Sequence, residues 1–136
     1  MIDQFELILP SFPSGCHLIT HHIQAAVKDW PQQGLVNIFI RHTSAGLAIT
    51  ENADPTVRED LADALSWLAP QDPRRYRHHD EGPDDMPAHI KSALVGYSLT
   101  IPIRQGKMDL GTWQGICLCE FRNAGGRRKL TITVYS

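Results

Sequence analysis

The stretch QGICLCEFRNAGGRRKLTITVYS, residues 114–136, decides the fold class of this chain. Residues 114–122 are apolar enough to form a buried strand, and residues 130–134 alternate between apolar and polar side chains, as in a strand with one buried face. The Gly-Gly dipeptide at 125–126 predicts a hairpin turn between these two segments. The end of the chain is therefore predicted to consist of antiparallel β-strands.

Further strands are predicted upstream of this stretch, near residues 5–9, 35–41, 46–51 and 99–103. We expect the segment 46–51 to pair with the strand that precedes it in the chain. Three helices are predicted between the strands, near residues 20–30, 54–70 and 85–96.

Asp54 and Pro55 form the clearest helix start, because Asp is a favourable N-cap residue and Pro suits the first helical position. Thr20 and Asp85 are the predicted N-caps of the other two helices. Residues 71–85 show no apolar periodicity and are predicted to form a long loop, and loops of this length are often functional. The mixed order of helices and strands, with antiparallel pairs at the end, favours an α+β fold over a doubly wound parallel sheet.

The composition indicates one globular domain spanning residues 1–136, because 42% of the residues are hydrophobic and 21% are charged. The 13 basic and 15 acidic residues give a formal net charge of −2, so we expect neither nucleic acid nor a membrane as partner. The N-terminus lacks the features of a signal peptide, and no run approaches the ~18 apolar residues that span a bilayer. Cys16, Cys117 and Cys119 are interpreted as buried thiols in a reducing compartment, which predicts a cytoplasmic protein.

Several common functional motifs are absent from the sequence. Neither G-x-G-x-x-G nor a Walker loop occurs, so the phosphate cradle of a dinucleotide- or triphosphate-binding fold is missing. Neither H-E-x-x-H nor a complete zinc-deaminase signature is present. The basic side chains are dispersed along the chain, and Arg122, Arg127 and Arg128 are interpreted as solvated surface charges.

Three polar regions could carry chemistry, and the first is Arg41-His42-Thr43-Ser44 at the end of a predicted strand. Because side chains alternate along a strand, His42 is predicted to lie on the same apolar face as Val36, Ile38 and Ile40, where that face opens at the end of the strand. The alternative for His42 is a buried, hydrogen-bonded histidine without a functional role. The hydroxyl pair that follows it favours a turn lined with hydrogen-bond donors.

The second region is the segment HHDEG at residues 78–82, followed by Asp84 and Asp85, for which a solvated acidic loop is the alternative. The third is His89, four residues after Asp85 and at the border of the apolar face of its helix. Imidazoles and carboxylates together can hold Zn²⁺ or a related ion with an open position for water or substrate, whereas Mg²⁺ would use mainly the carboxylates. The spacing alone leaves the metal site and the solvated loop both open.

The same segments carry a resemblance to a known family. The matching motifs are His-Thr-Ser-Ala at 42–45, Glu-Asn-x-Asp-Pro-Thr-Val at 51–57, the segment 78–92 and the run 98–116 that closes in Gly-Thr-Trp-Gln-Gly-Ile. In these motifs the chain resembles the YjbQ-like family, whose members are described as secondary thiamine-phosphate synthases. The resemblance covers roughly residues 40–122.

The resemblance implies an α+β, mostly antiparallel and sandwich-like protomer with about three helices, assembled as a homotrimer. It implies a weak or secondary coupling of hydroxymethylpyrimidine diphosphate with thiazole phosphate, assisted by a divalent metal, zinc or magnesium. Pyrophosphate leaves in this reaction, so cations and oriented donors are needed where charge gathers on it. A trimer would allow Trp113 and Gln114 of one chain to complete a site begun by His42, His78 and His89 of another.

We assign the candidate residues to three roles. The predicted metal ligands are His78, Asp85 and His89. The predicted catalytic residues are His42, Thr43, Ser44, Glu81 and Gln114. The predicted substrate-binding residues, for a small phosphorylated molecule, are Arg41, Asn52, Lys91 and Trp113. Two other functions stay open: a trimeric protein that binds a small anion or a metal without turnover, and a metal-dependent phosphate-ester hydrolase.

Overall fold

The computed structural model describes residues 1–136 and contains eight strands and three α-helices. The strands are β1 (Ile2–Ile8), β2 (Gly15–Leu18), β3 (Gln33–Ile40), β4 (Ala45–Glu51), β5 (Ser98–Arg104), β6 (Lys107–Met108), β7 (Gln114–Glu120) and β8 (Lys129–Tyr135). The helices are α1 (Thr20–Ala26), α2 (Pro55–Leu68) and α3 (Asp85–Val95). None of the helices has the length and apolar composition that a membrane-spanning segment requires.

All strand pairs are antiparallel and form two sheets. The first sheet has five strands in the order β1-β8-β3-β5-β6, and the second has three strands in the order β2-β7-β4. This architecture confirms the predicted α+β fold, with mostly antiparallel sheets in a sandwich-like arrangement and three helices.

The main core lies between the two sheets. In β3 the residues Val36, Ile38 and Ile40 alternate with more exposed ones, so one face of the strand turns inward. They join Ile116 and Leu118 of β7 in one cluster of buried apolar side chains. Burial of this alternating pattern, at roughly 25 cal/mol per Å² of apolar surface, is what holds the sheets together.

Helices α2 and α3 pack against the second sheet on its other face. A smaller apolar cluster there joins Leu65 of α2 and Ala88 of α3 to Cys119 and Phe121 at the end of β7. The chain therefore has a second, thinner core, and the strand β7 is buried on both faces.

One of the three predicted N-caps is confirmed by the structure. Asp54 is the N-cap of α2, and its carboxylate accepts a hydrogen bond from the Thr56 N–H at 3.0 Å. The other two predicted caps are wrong. Thr20 is the first residue of α1 and its hydroxyl accepts from the Ile116 N–H, while Asp85 is the first residue of α3 and its side chain turns away from the helix end.

Two predicted hairpins are also wrong, because both connections cross between the sheets. The segment predicted to pair with β3 is β4, which pairs with β7 instead. The connection that contains Gly125 and Gly126 leads from β7 in the second sheet to β8 in the first. Strands β7 and β8 each already have two partners within their own sheet, so the Gly-Gly turn redirects the chain without pairing the strands that it joins.

The predicted loop at 71–85 is largely irregular, with one short 3-10 helix at Pro73–Arg75. Asp72 caps this turn and its carboxylate also pairs with the Arg74 guanidinium at 3.1 Å. The loop then passes over the start of α3 and delivers His78 to it.

Candidate metal centre

Three of the predicted ligands converge at the start of α3. The Nε2 atom of His78 lies 2.7 Å from Oδ2 of Asp85, and Nε2 of His89 lies 3.2 Å from the same oxygen. The two imidazole rings have centroids 5.5 Å apart. One candidate ligand atom from each residue lies within 4.8 Å of the other two.

The helix places two of these side chains on one face. Asp85 and His89 are four residues apart in α3, so they lie one above the other. His78 comes from the loop before the helix, which turns back at Gly82, where φ is +108° and a side chain would be strained. The site is thus formed by one helical turn and the loop that leads into it.

Arg122 holds the acidic pair at the start of α3 in place. Its guanidinium donates to Oδ2 of Asp84 at 3.1 Å, to Oδ1 of Asp85 at 2.6 Å and to the carbonyl of Glu81 at 3.1 Å. The Asn123 N–H also donates to Asp84. One oxygen of Asp85 is therefore taken by Arg122, and the other is directed at the two imidazoles.

Asp85 is an ionised carboxylate in this setting. Its side chain is only 2% exposed, and burial alone would oppose ionisation. The hydrogen bond from His78 and the charges of His89 and Arg122 outweigh burial and hold the pKa of the Asp85 carboxyl below its usual value. Two carboxylates, Asp84 and Asp85, then face one guanidinium, which leaves an excess of negative charge beside the imidazoles.

The hydrogen bonds of His89 require a cation near Asp85. Its Nδ1 lies 2.9 Å from the carbonyl oxygen of Thr43, which can only accept, so Nδ1 must carry the hydrogen. In a neutral ring Nε2 would then present a lone pair to the Asp85 carboxylate at 3.2 Å, and two acceptors at that distance repel. Either a proton on Nε2 or a metal ion between the atoms removes the repulsion.

A groove adjoins this cluster on the side of His89. It has a volume of about 670 Å³ and is lined by the end of β3, the turn that follows and one face of α3. The aromatic rings of Phe39 and Tyr97 meet edge to face in it, with centroids 5.7 Å apart, and His42 and Thr43 also line it. A small molecule in the groove would contact the imidazole of His89 on its way to Asp85.

The first predicted region thus lies beside the cluster, but its side chains are largely engaged in the fold. Nε2 of His42 accepts the Lys129 N–H at 2.8 Å, and both the carbonyl and hydroxyl oxygens of Ser44 accept from Arg128. Thr43 contributes its carbonyl to His89, and its side chain lies at the groove. The roles of His42, Thr43 and Ser44 in catalysis stay predictions.

The remaining predicted site residues fall into separate places. Arg41 lines the groove and pairs with Glu6 at 3.0 Å, and Glu81 offers its carbonyl to Arg122 while its side chain is exposed. Lys91 is only 7% exposed and points to the opposite side of α3, with Nζ 3.5 Å from the Ser66 hydroxyl and above the ring of Phe121.

Asn52, Trp113 and Gln114 form another group, at the far end of β4 and β7. The Asn52 amide donates to the carbonyls of Thr112 and Gln114, and Trp113 is 64% exposed. Because β4 runs from Ala45 to Glu51, this group lies about 20 Å from the turn that contains Thr43. Within one chain these residues are not brought to the histidine cluster.

Two arginines organise this end of the molecule, and the prediction of solvated charges at Arg122 and Arg128 is wrong. Arg128 has a side chain that is 5% exposed and donates to both oxygens of Glu120, which is fully buried. A sequence signal did exist: Glu120 stands inside the apolar run of β7, and a carboxylate there needs a buried cation.

The C-terminal end of helix α3 lies close to β4. Ser92 donates its hydroxyl hydrogen to the Ala45 carbonyl at 2.8 Å, and the Leu47 N–H donates to the Gly96 carbonyl at 3.0 Å. A methyl group on Gly46 would lie 2.8 Å from that Gly96 oxygen. Glycine at this position therefore sets the distance between the strand and the helix that bears Asp85 and His89.

The comparisons with known proteins agree on one family. The family model described as "UPF0047 protein YjbQ-like" matches residues 6–136. UPF0047 protein YjbQ of Salmonella typhimurium is 46% identical over 133 residues, which cover 96% of each chain, and a UPF0047 protein of Synechocystis is 47% identical over 94% of this chain and 88% of the relative. A crystal structure of a conserved hypothetical protein from Thermus thermophilus superposes with a TM-score of 0.85 at 36% identity, covering 96% of this chain and 98% of that one.

Proposed function

This chain belongs to the UPF0047 protein YjbQ-like family, and we propose that it is a divalent-metal-dependent enzyme acting on a small phosphorylated molecule. The metal would be held by His78, Asp85 and His89. The observation that carries the proposal is the pair of imidazole nitrogens that meet one oxygen of a buried carboxylate.

The ligand set favours a zinc-type ion over magnesium. Two imidazole nitrogens and one carboxylate oxygen suit Zn²⁺ and related transition metals, whereas Mg²⁺ prefers oxygen ligands alone. Around zinc such atoms stand ~2.0–2.1 Å from the metal and about 3.4 Å from one another. The separation of 3.2 Å between His89 and Asp85 is close to that spacing, whereas the 2.7 Å contact of His78 with Asp85 is a direct hydrogen bond and would lengthen if a metal were bound.

The same set leaves room for a substrate. The side chains of His78 and His89 are 47% and 31% exposed, so an ion held between them would be open to solvent and to the groove. The contact of the Thr43 carbonyl with Nδ1 of His89 is the kind of outer support that fixes the orientation of a ligating imidazole. A bound metal supplies Lewis acidity toward a phosphate oxygen.

Two reactions of phosphorylated molecules fit this proposal. One is the coupling that the family resemblance implies, in which hydroxymethylpyrimidine diphosphate joins thiazole phosphate and pyrophosphate departs. The other is hydrolysis of a phosphate ester. In both, Arg41 and Thr43 line the groove where a phosphate would lie, and Arg41 would turn from Glu6 to meet it.

Metal binding is the first test. Metal-free protein titrated calorimetrically with Zn²⁺ should bind one ion per chain, and His78→Asn and His89→Asn should each weaken binding at least about 100-fold. The matched control is His79→Asn, since His79 is adjacent in the same loop but pairs only with the exposed Asp80. Unchanged Zn²⁺ affinity in both His78→Asn and His89→Asn would rule out the proposed metal centre.

Turnover is the second test. Thiamine-phosphate formation and hydrolysis of p-nitrophenyl phosphate should be measured with metal-free protein, with added Zn²⁺ and with added Mg²⁺. We expect Zn²⁺ to restore one of the two activities in the unsubstituted protein and in His79→Asn, and in neither ligand variant.

One observation favours a second function, a metal- or anion-binding protein without turnover. His42, one of the predicted catalytic residues, has its Nε2 occupied by the Lys129 N–H. A protein that binds Zn²⁺ tightly and shows neither activity would support this alternative. Assembly as a homotrimer, with Trp113 and Gln114 of a second copy beside the histidines, and a cytoplasmic location stay predictions, and the first can be checked by light scattering.

A further inference from the structure

Two cysteines face each other across neighbouring strands of the second sheet. Cys16 of β2 stands opposite Cys119 of β7, and their sulfur atoms are 3.5 Å apart. The Ile19 N–H donates to the Ile116 carbonyl, so these two residues form a hydrogen-bonded pair of the antiparallel ladder. Hydrogen-bonded and non-hydrogen-bonded pairs alternate along such a ladder. Cys16 and Cys119, three positions further along, therefore form a non-hydrogen-bonded pair. In such pairs the Cα atoms approach to about 4.5 Å, which is within the range that a disulfide spans.

The environments of the two thiols are unequal. Cys119 is fully buried, whereas Cys16 is half-buried and lines a cavity of about 380 Å³ between β2 and α2. A hydrogen bond from the Cys119 thiol, together with the charges of Arg58 and Lys91, lowers the pKa of Cys16 against the effect of burial. The same hydrogen bond and burial raise the pKa of Cys119. Cys16 is therefore suited to attack an external disulfide, and Cys119 to attack the mixed disulfide that forms at Cys16.

We propose that Cys16 and Cys119 form a redox-active dithiol that is oxidised by small neutral or cationic disulfides. The Cys16 thiolate attacks one sulfur of the disulfide R–S–S–R, forms a mixed disulfide and releases the thiolate R–S⁻. Cys119 then gives its proton to that thiolate or to water and attacks the sulfur of Cys16, which releases a second R–S⁻. The two cysteines are oxidised to one cystine, and R–S–S–R is reduced to two R–SH.

The charge of the cavity sets the class of oxidant. The lining of this cavity contains the guanidinium of Arg58, the imidazole of His17 and two acidic side chains, Glu59 and Asp63, while Lys91 lies in a separate, smaller cavity beside Cys16. A net negative entrance attracts a cationic disulfide and repels an anionic one. Cystamine is the cationic probe and oxidised glutathione the anionic one.

The chain provides its own control in Cys117. It lies two residues before Cys119 and on the same face of β7, but it stands opposite Leu18, and burial raises its pKa to about 11. Cys117→Ser should leave the reaction unchanged. Cys16→Ser should abolish it, and Cys119→Ser should stop at the mixed disulfide.

The test is intact mass and peptide mapping of the native, full-length chain after incubation with each disulfide. We expect loss of two hydrogens and a peptide that links Cys16 to Cys119, formed at least about threefold faster with cystamine than with oxidised glutathione. In Arg58→Gln, alkylation of Cys16 by iodoacetamide should slow about threefold, because one partly exposed charge has only a modest effect.

Two results would overturn the proposal. One is a bridge that involves Cys117, and the other is an unsubstituted protein in which Cys16 is alkylated but never oxidised by cystamine. Both are read on the unsubstituted chain, so a variant that fails to fold does not affect the outcome. Faster reaction with oxidised glutathione would refute the assigned class of oxidant. None of these results depends on the metal centre.

Discussion

At the scale of single residues, a ring nitrogen of His42 makes a structural hydrogen bond. Its Nε2 accepts the N–H of Lys129, which ties the turn after β3 to the start of β8. Burial, and then the charge of Arg128, lower the pKa of His42 below its ordinary value of 6.5. A neutral His42 is what the hydrogen bond requires, since only the unprotonated Nε2 can accept.

This arrangement makes stability depend on pH in a definite direction. Below about pH 6.5 His42 takes up a proton in the unfolded chain, but the folded chain resists that proton because its His42 pKa is lower. The contribution of His42 to the free energy of unfolding is therefore fully present above about pH 6.5. It is lost as the pH falls through the pKa of His42 in the folded chain. Urea denaturation of metal-free protein at about pH 7.5 and about pH 5 should show a larger loss for the unsubstituted chain than for His42→Gln. Equal losses in the two proteins would contradict it.

The buried pair of Glu120 and Arg128 gives a second prediction for single residues. Glu120→Gln leaves the Arg128 guanidinium buried without its counter-charge, and we expect a loss of roughly 3–5 kcal/mol in unfolding free energy. The control is Asp109→Asn, which removes an exposed partner of Arg104 and should cost at most about 1 kcal/mol. Chemical denaturation measures both, and a similar small loss for the two variants would show that the buried pair is dispensable.

The residue types of the candidate site were predictable, but their partners were not. His78, Asp85 and His89 lie within twelve residues of one another, and the four-residue helical spacing of the last two could be read from the chain. Arg122 comes from beyond β7, and only the tertiary fold brings its guanidinium to Asp85. A charge that is buried by distant segments looks like a surface charge in the sequence.

At the scale of elements, the helices show which starts are encoded locally. Asp54 caps α2 through atoms within two residues, with hydrogen bonds to the Thr56 N–H and hydroxyl, so sequence alone was enough. Asp85 has the same residue type at a comparable place in α3, but Arg122 and two imidazoles bind its carboxylate. Tertiary contacts therefore override a capping preference at the start of α3.

The cap of α2 can be tested directly. Asp54→Ala removes the acceptor for the Thr56 N–H and should lower the free energy of unfolding by about 1 kcal/mol. Asp60→Ala, an exposed change inside the same helix, should stay within about 0.5 kcal/mol. Denaturant midpoints of the two variants provide the comparison, and equal values would argue against a capping contribution.

At the scale of the whole molecule, the chain repeatedly passes from one sheet to the other. Six of the eight strand segments were predictable from apolar alternation, because that pattern depends on local geometry. The strands β2 and β6 were missed, because segments of four and two residues are too short to show it. Their pairing was not, since a turn such as Gly125-Gly126 has the same composition whether it closes a hairpin or leads to another sheet. Which strands pair is decided by burial of both faces of β7, a property of the assembled layers.

The contact between β4 and α3 predicts an effect of packing on metal affinity. Gly46→Ala would place a methyl group 2.8 Å from the Gly96 carbonyl oxygen and should displace α3 from the strand. We expect Zn²⁺ affinity to fall about tenfold, because His89 would move relative to the carbonyl of Thr43 that orients it. The control is Gly111→Ala, whose methyl would meet only the end of the flexible Gln114 side chain. Calorimetry should show the difference, and equal affinities would disprove the link.

The absence of a side chain at Gly46 therefore affects the position of the helix that carries part of the candidate metal centre. Gly46 meets the backbone at Gly96, directly after the end of α3, so a larger residue there would shift the helix that carries Asp85 and His89 without touching either side chain. The residues that pack beneath the helix are therefore positions from which the geometry of the candidate metal centre can be altered without exchanging Asp85 or His89.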